Sequence, residues 1–180
     1  MDWLRAGASR QEFERFVMDR TGPLLRTAYL MAGSLAEAED LVQETLLRAA
    51  RNWPRVRVME YPAAYARQVL VNVALDGAAG RARRAGELAA ADGAWDPADI
   101  RAQRDLHGVD TRQELLGALA TLPARQRAVI VLRYWEGLPE AEVAEILGCS
   151  AGTVKSTASR GLARLRAAIA DGAVGHQPVS

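Results

Sequence analysis

"EAEVAEILGCSAGTVKSTASRGLARLRAAI", residues 140–169, reads as two helical patterns meeting at Gly148. In the second, Val154, Ala158, Leu162, Leu165 and Ile169 recur at helical spacing and share one face, which is expected to pack inward. At about 100° per residue the opposite face presents Thr153, Ser156, Arg160 and Arg164, flanked by Lys155, Ser159 and Arg166. In the first, Val143, Ile146 and Leu147 are expected inside, and the small Ala144 lets the next helix approach. Gly148 permits a sharp positive-φ turn, and Ser150 is placed to cap the helix that follows. Two helices, a short glycine turn and a polar, basic second helix make a helix-turn-helix, the arrangement that enters a major groove. The competing reading, a basic face that is merely solvated, does not account for the small residues and the turn.

The charge on that helix stands out against the whole chain. Residues 148–169 carry Lys155, Arg160, Arg164 and Arg166 and no acid, while the 180-residue chain has a formal net charge of only +1. A globally basic coat for nucleic acid is excluded, so any such site must be local. Of the 23 basic residues Lys155 is the one lysine, a bias that points to a GC-rich genome rather than to function.

Cys149 is the lone cysteine and His107 and His176 are the two histidines, too few for a disulfide framework or a Cys/His metal site. There is no glycine-rich phosphate loop and no nucleophile with a supporting base, so an enzyme is not expected and neither is a cofactor. With no basic-then-apolar leader and no apolar run approaching the ~18 residues of a membrane span, a soluble, unprocessed, cytoplasmic protein is expected.

Working outward, helix signals dominate and no alternating β-branched run compels a strand, so the fold class is all-α. Ser9 with Glu12, Ser34 with Glu37 and Thr111 with Glu114 have the Ser/Thr-x-x-Glu spacing of a helix start. Pro23 and Pro62 suit first helical turns, and Gly33 and Gly148 suit helix ends. The expected helices are 10–20, 23–32, 35–51 and 62–76, then 112–121, 124–135, 139–147 and 151–169. Between the two sets, residues 85–110 hold six acids against Arg101 and Arg104. Two small helical domains, 9–84 and 111–171, joined by an acidic linker, 85–110, and followed by a frayed tail, 172–180, are therefore expected. A flexible coil of about 26 residues has a root-mean-square span on the order of 30 Å, enough for the domains to reach separate sites.

In the first domain, "SLAEAEDLVQETLLRAARNW" (residues 34–53) gathers Ala38, Leu41, Val42, Leu46, Ala49 and Trp53 on one face. It leaves Asp40, Gln43, Glu44, Leu47 and Arg51 on the other. An exposed leucine among acidic and amide groups is either solvated by chance or a protein docking surface. Residues 48–84 then reverse the charge, with eight arginines against Glu60 and Asp76. Between predicted helices, "NWPRVRVMEY" (52–61) offers Trp53, Arg55, Arg57 and Tyr61, groups that stack on unpaired bases and neutralise single-strand phosphates. Trp53 also reads as a core residue. The next helix carries Asn72 and Asp76 one turn apart. It runs into "GAAGRARR" (77–84), where Gly77 and Gly80 should loosen the helix end near Arg81, Arg83 and Arg84.

"LPARQRAVIVLRYWEGL" (122–138) with "GTVKS" (152–156) resembles the minus-thirty-five reading domain of bacterial RNA polymerase sigma factors of the extracytoplasmic function (ECF) type. "AEDLVQETLLRA" (38–49) resembles the ECF segment that binds the β′ clamp helices of core polymerase. The resemblance covers roughly residues 10–170 in family order, and "STASRG", with Thr157 where many members have arginine, is similar to the actinobacterial SigE-like subgroup. It implies core RNA polymerase, through its β′ clamp helices and β flap region, and promoter DNA as partners, with an anti-sigma protein as a further possible partner and no membrane.

Carried over by position, Asp40, Gln43, Glu44 and Leu47 would dock on polymerase. Arg55, Arg57 and Asn72 would meet the minus-ten element, where the 52–61 loop receives a flipped base. Thr153, Lys155, Ser156, Ser159, Arg160 and Arg164 would meet the minus-thirty-five element. The alternative is a stand-alone LuxR-like regulator, since such proteins carry similar "GTVK" sequence, but no sensory or dimerising module is evident in the N-terminal half.

Overall fold

The computed structural model describes residues 2–92 and 111–174, and every regular element among them is helical. In chain order they are α1 (Asp2–Ala32), α2 (Leu35–Arg51), α3 (Trp53–Val56), α4 (Pro62–Asp92), α5 (Thr111–Ala120), α6 (Ala124–Ile130), α7 (Glu140–Leu147) and α8 (Ala151–Val174). A π-helical turn, Val131–Trp135, continues α6. The all-α expectation holds.

Several local expectations do not. α1 is continuous through Pro23, where two helices were predicted. Proline removes one N–H and crowds the preceding turn, yet Leu24, Ala28 and Met31, beyond the proline, are buried on the same helix that carries Phe16 inward. Tertiary burial outweighs the local break. Ser9 therefore lies inside α1 and caps nothing, whereas Ser34 does cap: its side chain accepts from the Glu37 N–H at 3.3 Å with extended backbone. Thr111 opens α5, and its side chain lies outside the described residues.

α4 likewise runs on to Asp92 instead of ending at 76, through Gly77 and Gly80. Two helical glycines cost about 1 kcal/mol each relative to alanine, which a helix anchored by buried Ala66, Leu70, Val71 and Ala74 tolerates. The first eight residues of the predicted linker are thus helical, and the rest of it, 93–110, lies outside the described residues. α8 continues to Val174, past the predicted boundary at 171.

One core forms where α1, α2 and α4 meet: Leu24, Ala28, Ala38, Val42, Ala66 and Leu70, with Phe16, Leu25, Tyr29, Leu41 and Leu46 partly buried against it. A second gathers Ala128, Val129, Val131, Leu132, Leu138, Val143, Ala144, Leu147, Val154 and Ala158 from α6 to α8, and it extends into the first unit through Met31, Val71 and Ala74. The two helical units therefore pack on each other. Glu136 in the second unit accepts from Thr27 and, at 3.0 Å, from Arg67 in the first.

Candidate functional site

The helix-turn-helix is built as its sequence suggests. α7 ends at Gly148, whose φ of 59° and ψ of 47° place it in the left-handed region, and the Cys149 N–H returns to the Ala144 carbonyl at 3.0 Å. Arg125 from α6 closes the same end by donating to the Leu147 carbonyl at 2.8 Å, a cation set against the negative end of a helix. Ser150 accepts from the Thr153 N–H at 3.1 Å and caps α8. Val154 and Ala158 are buried in the core beneath, and Leu162 and Leu165 are half-buried against Leu119, Leu122 and Ile130. Ile169, predicted to face inward, is 39% exposed.

That packing settles which side chains remain outside. Thr153, Lys155, Ser156, Ser159, Arg160 and Arg164 are all exposed. Arg160 is steadied by an Nε donation to the Ser156 carbonyl at 3.3 Å, and Arg164 reaches the Gln126 side chain at 3.5 Å. Thr157 is buried beside Val154 and Ala158, so it does not belong to the outward face.

On α2, Ala38, Val42, Thr45 and Ala49 are buried. Asp40 and Gln43 are exposed, Glu44 is half-buried and Leu47 is 51% exposed, and their spacing puts the four on one outer stripe. Glu44 accepts from Arg48 at 2.7 Å one turn on. An exposed leucine flanked by acceptors suits a partner that offers an apolar socket rimmed by cations.

The third group surrounds a cleft of about 480 Å³ lined by Glu12, Arg15, Phe16, Trp53, Arg57, Glu60 and Tyr61 among others. Its floor is aromatic: Trp53 is buried, edge-on to Phe13 and tilted against Phe16, both with centroids 5.1 Å away, and its indole N–H donates to the Ser9 carbonyl at 3.0 Å. Those bonds make Trp53 a structural member of the cleft. Tyr61 is 67% exposed at its mouth.

Arg57, expected to meet the minus-ten element, is clasped by Glu12 through two bonds of 2.8 and 3.1 Å while staying partly exposed. The clasp has a simple cause, since α1 packs against Trp53 and the 52–61 loop. Arg57's hydrogen bond holds the Glu12 carboxyl below the usual glutamate range. The Arg55 side chain is exposed and has no hydrogen bond or ion pair among the described residues, and Asn72 is exposed on α4. Sequence reasoning missed that α1 supplies half of this cleft, through Glu12, Arg15 and Phe16. The only local signal was the pair of aromatic residues, Phe13 and Phe16, at helical spacing.

Among the described residues no cluster of His, Cys, Asp or Glu could hold a metal ion, and no helix is long and apolar enough to cross a membrane.

Comparison with known proteins gives two family matches in order along the chain: Sigma-70 region 2 over residues 16–84 and Sigma-70, region 4 over residues 112–165. The RNA polymerase sigma-E factor of Streptomyces coelicolor is 37% identical over 155 residues, covering 86% of this chain and 84% of that protein. The ECF RNA polymerase sigma factor SigL of Mycobacterium tuberculosis is 35% identical over 155 residues, covering 84% of this chain and 85% of that protein. Among solved structures, the sigma factor RpoE in complex with the anti-sigma factor NepR, from Bartonella quintana, superposes with a TM-score of 0.67 at 27% identity. That match covers 88% of this chain and 97% of the other.

Proposed function

This chain belongs to the ECF family of RNA polymerase sigma factors, and from that premise we propose how its exposed groups divide promoter recognition between them. A sigma factor joins core RNA polymerase, recognises promoter DNA and starts transcription there; the polymerase carries out the chemistry. The first unit, residues 9–84, docks on polymerase and meets the minus-ten element, and the second, 111–171, meets the minus-thirty-five element, with 85–110 between them.

The single observation that carries the reading is the sorting of side chains on α8. Thr153, Lys155, Ser156, Ser159, Arg160 and Arg164 point out while Val154, Thr157 and Ala158 point in. Arg160 is the main candidate for a base contact, worth on the order of 1–3 kcal/mol of discrimination if bidentate. Lys155, a compact point charge, suits phosphate. Because Thr157 is buried, the usual family arginine at that position has no counterpart here, and discrimination falls on Thr153, Ser156 and Arg160.

Asp40, Gln43, Glu44 and Leu47 form the polymerase docking stripe against the β′ clamp helices, and the second unit meets the β flap region. At the minus-ten element the cleft above Phe16 and Trp53 receives an unstacked base, with Tyr61 at its mouth as the stacking surface. Arg55 offers countercharge to the single strand and Asn72 a polar contact. Arg57, bound by Glu12, shapes the rim.

A net charge of +1 fits this division of labour. Few phosphate contacts give little sequence-blind affinity, so the chain alone binds DNA weakly. Two weak readers held on one polymerase act as one specific reader, because the second contact becomes intramolecular. The RpoE relative is held by an anti-sigma protein, and a partner of that kind is proposed for this chain as well, in the cytoplasm where polymerase resides. The test is a nuclease footprint on candidate promoters: protection of both elements only when core polymerase and this chain are present together supports the reading. Protection by the chain alone would favour a stand-alone regulator.

A further inference from the structure

A cleft that receives an unstacked base does not by itself take that base out of a duplex, and the loop beside it carries side chains suited to doing so. Val58 is 75% exposed and Met59 41%, two residues short of Tyr61 at the cleft mouth. Single exposed apolar residues are ordinary on a protein surface. Adjacent ones on a loop tip next to a cleft mark a place of contact.

The loop is short and pinned at both ends. On one side Val56 is fully buried and Arg57 is clasped by Glu12. The Met59 N–H then reaches back to the Val56 carbonyl at 3.1 Å and turns the chain. On the other side the Tyr61 carbonyl accepts from the Ala64 and Tyr65 N–H groups at 3.0 and 3.4 Å, where α4 begins. Val58 and Met59 are thus presented by a preformed turn, so little ordering is needed when they bind.

Charge decides what they bind. Arg55, exposed, and Arg57, partly exposed, stand on this loop against one acid, Glu60, whose carboxylate is hydrogen-bonded to the Tyr61 hydroxyl. Cations beside a small apolar tip suit a polyanion with an apolar interior, which describes stacked bases between two lines of phosphates. Proteins that unstack a duplex do so by inserting methionine, leucine and similar side chains between base steps. A protein partner asks for more, since a specific interface covers roughly 800 Å² on each side.

We propose that Val58 and Met59 form a wedge that enters the base stack at the minus-ten element and parts the strands, and that the base so freed passes into the adjoining cleft. The inference rests on the sigma-factor reading above and supplies the step that the cleft presupposes. Tyr61 and the cleft hold an unpaired base, and the wedge produces one.

The test uses the full chain with core polymerase on a promoter that it starts from, in two forms. One is a duplex with 2-aminopurine in the minus-ten element, whose fluorescence rises on unstacking. The other has the same sequence with a mismatched, already open minus-ten segment. Val58→Ser with Met59→Ser removes the apolar tip, and Val58→Leu with Met59→Leu keeps it; circular dichroism checks that both pairs are folded. The serine pair is expected to open the duplex about ten-fold more slowly or worse, with polymerase binding and transcription from the premelted template at the parent level. The leucine pair should open the duplex as the parent does. Undiminished opening by the folded serine pair would overturn the wedge and leave the sigma-factor reading intact. An equal loss on both templates would also overturn it, making the tip a strand-binding contact, and so would a loss of polymerase binding, making it a protein contact. If the parent chain directs polymerase to no start site at all, the sigma-factor reading fails and the wedge with it.

Discussion

Gly161 on α8 lies so close to Ile130 on α6 that a Cβ at position 161 would meet Ile130 Cγ1 at 3.0 Å and Cδ1 at 3.1 Å. Ile130 is itself buried with Leu119 and Leu122 and has little room to move. This approach fixes how the recognition helix sits on the domain beneath it. A helical Gly→Ala exchange ordinarily stabilises by about 1 kcal/mol, and crowding a packed core costs about 1–3 kcal/mol. Gly161→Ala should therefore gain nothing or lose stability, and Gly161→Val should lose more. Gly77→Ala, whose nearest neighbour is the end of the Arg81 side chain at 3.5 Å, should gain about 0.5–1 kcal/mol. Urea unfolding of the three variants checks the contrast; equal gains at 161 and 77 would show that the close approach is not real.

The Glu12–Arg57 clasp makes a pH prediction. Arg57's hydrogen bond lowers the Glu12 value in the folded chain, so the clasp is intact at neutral pH. Its contribution disappears only as pH falls through that lowered value. A carboxyl titration followed by NMR should place Glu12 below the ~4.3 of a free glutamate, and Arg57→Ala should return it toward that value. A Glu12 midpoint unmoved by Arg57→Ala would remove the clasp from the account of the cleft.

Arg160→Ala should reduce transcription from cognate promoters by about ten-fold or more, the effect of losing one good base contact, while binding to core polymerase stays unchanged. Thr157→Ser, at a buried position, should leave promoter preference alone. Transcription assays with a panel of minus-thirty-five sequences, beside a polymerase pull-down, separate the two. A parallel fall in polymerase binding would remove Arg160 from the DNA face.

Asp40→Ala combined with Glu44→Ala, and separately Leu47→Ala, should weaken association with core polymerase without changing thermal stability by more than about 0.5 kcal/mol, since surface substitutions seldom do. Undiminished co-purification with core enzyme would contradict the docking stripe.

What the sequence revealed follows the range of the forces involved. The faces of α2 and α8 were legible because each depends on apolar spacing within one helix, and the Ser34 cap and the Gly148 turn because each depends on four or five neighbouring residues. Pro23 and Gly77 misled because their local preferences were set against burial of Leu24, Ala28 and Ala74 by distant partners. The π-helical turn, where the Glu136 N–H reaches back five residues to the Val131 carbonyl, gave no periodic signal. Its effect is to bring Glu136 to Thr27 and Arg67, which lie 109 and 69 positions away along the chain. No spacing rule reaches that far. At the minus-ten cleft, Arg55 and Arg57 looked equivalent, and only the packing of α1 against the loop separates a free cation from a clasped one.

The most direct measurement is in vitro transcription on genomic DNA with purified core polymerase, with and without this chain, mapping every start site. The account predicts a limited set of starts that appear only when the chain is added, share elements near minus thirty-five and minus ten, and are lost with Arg160→Ala and with Asp40→Ala, Glu44→Ala. A start-site pattern unchanged by the chain would contradict it.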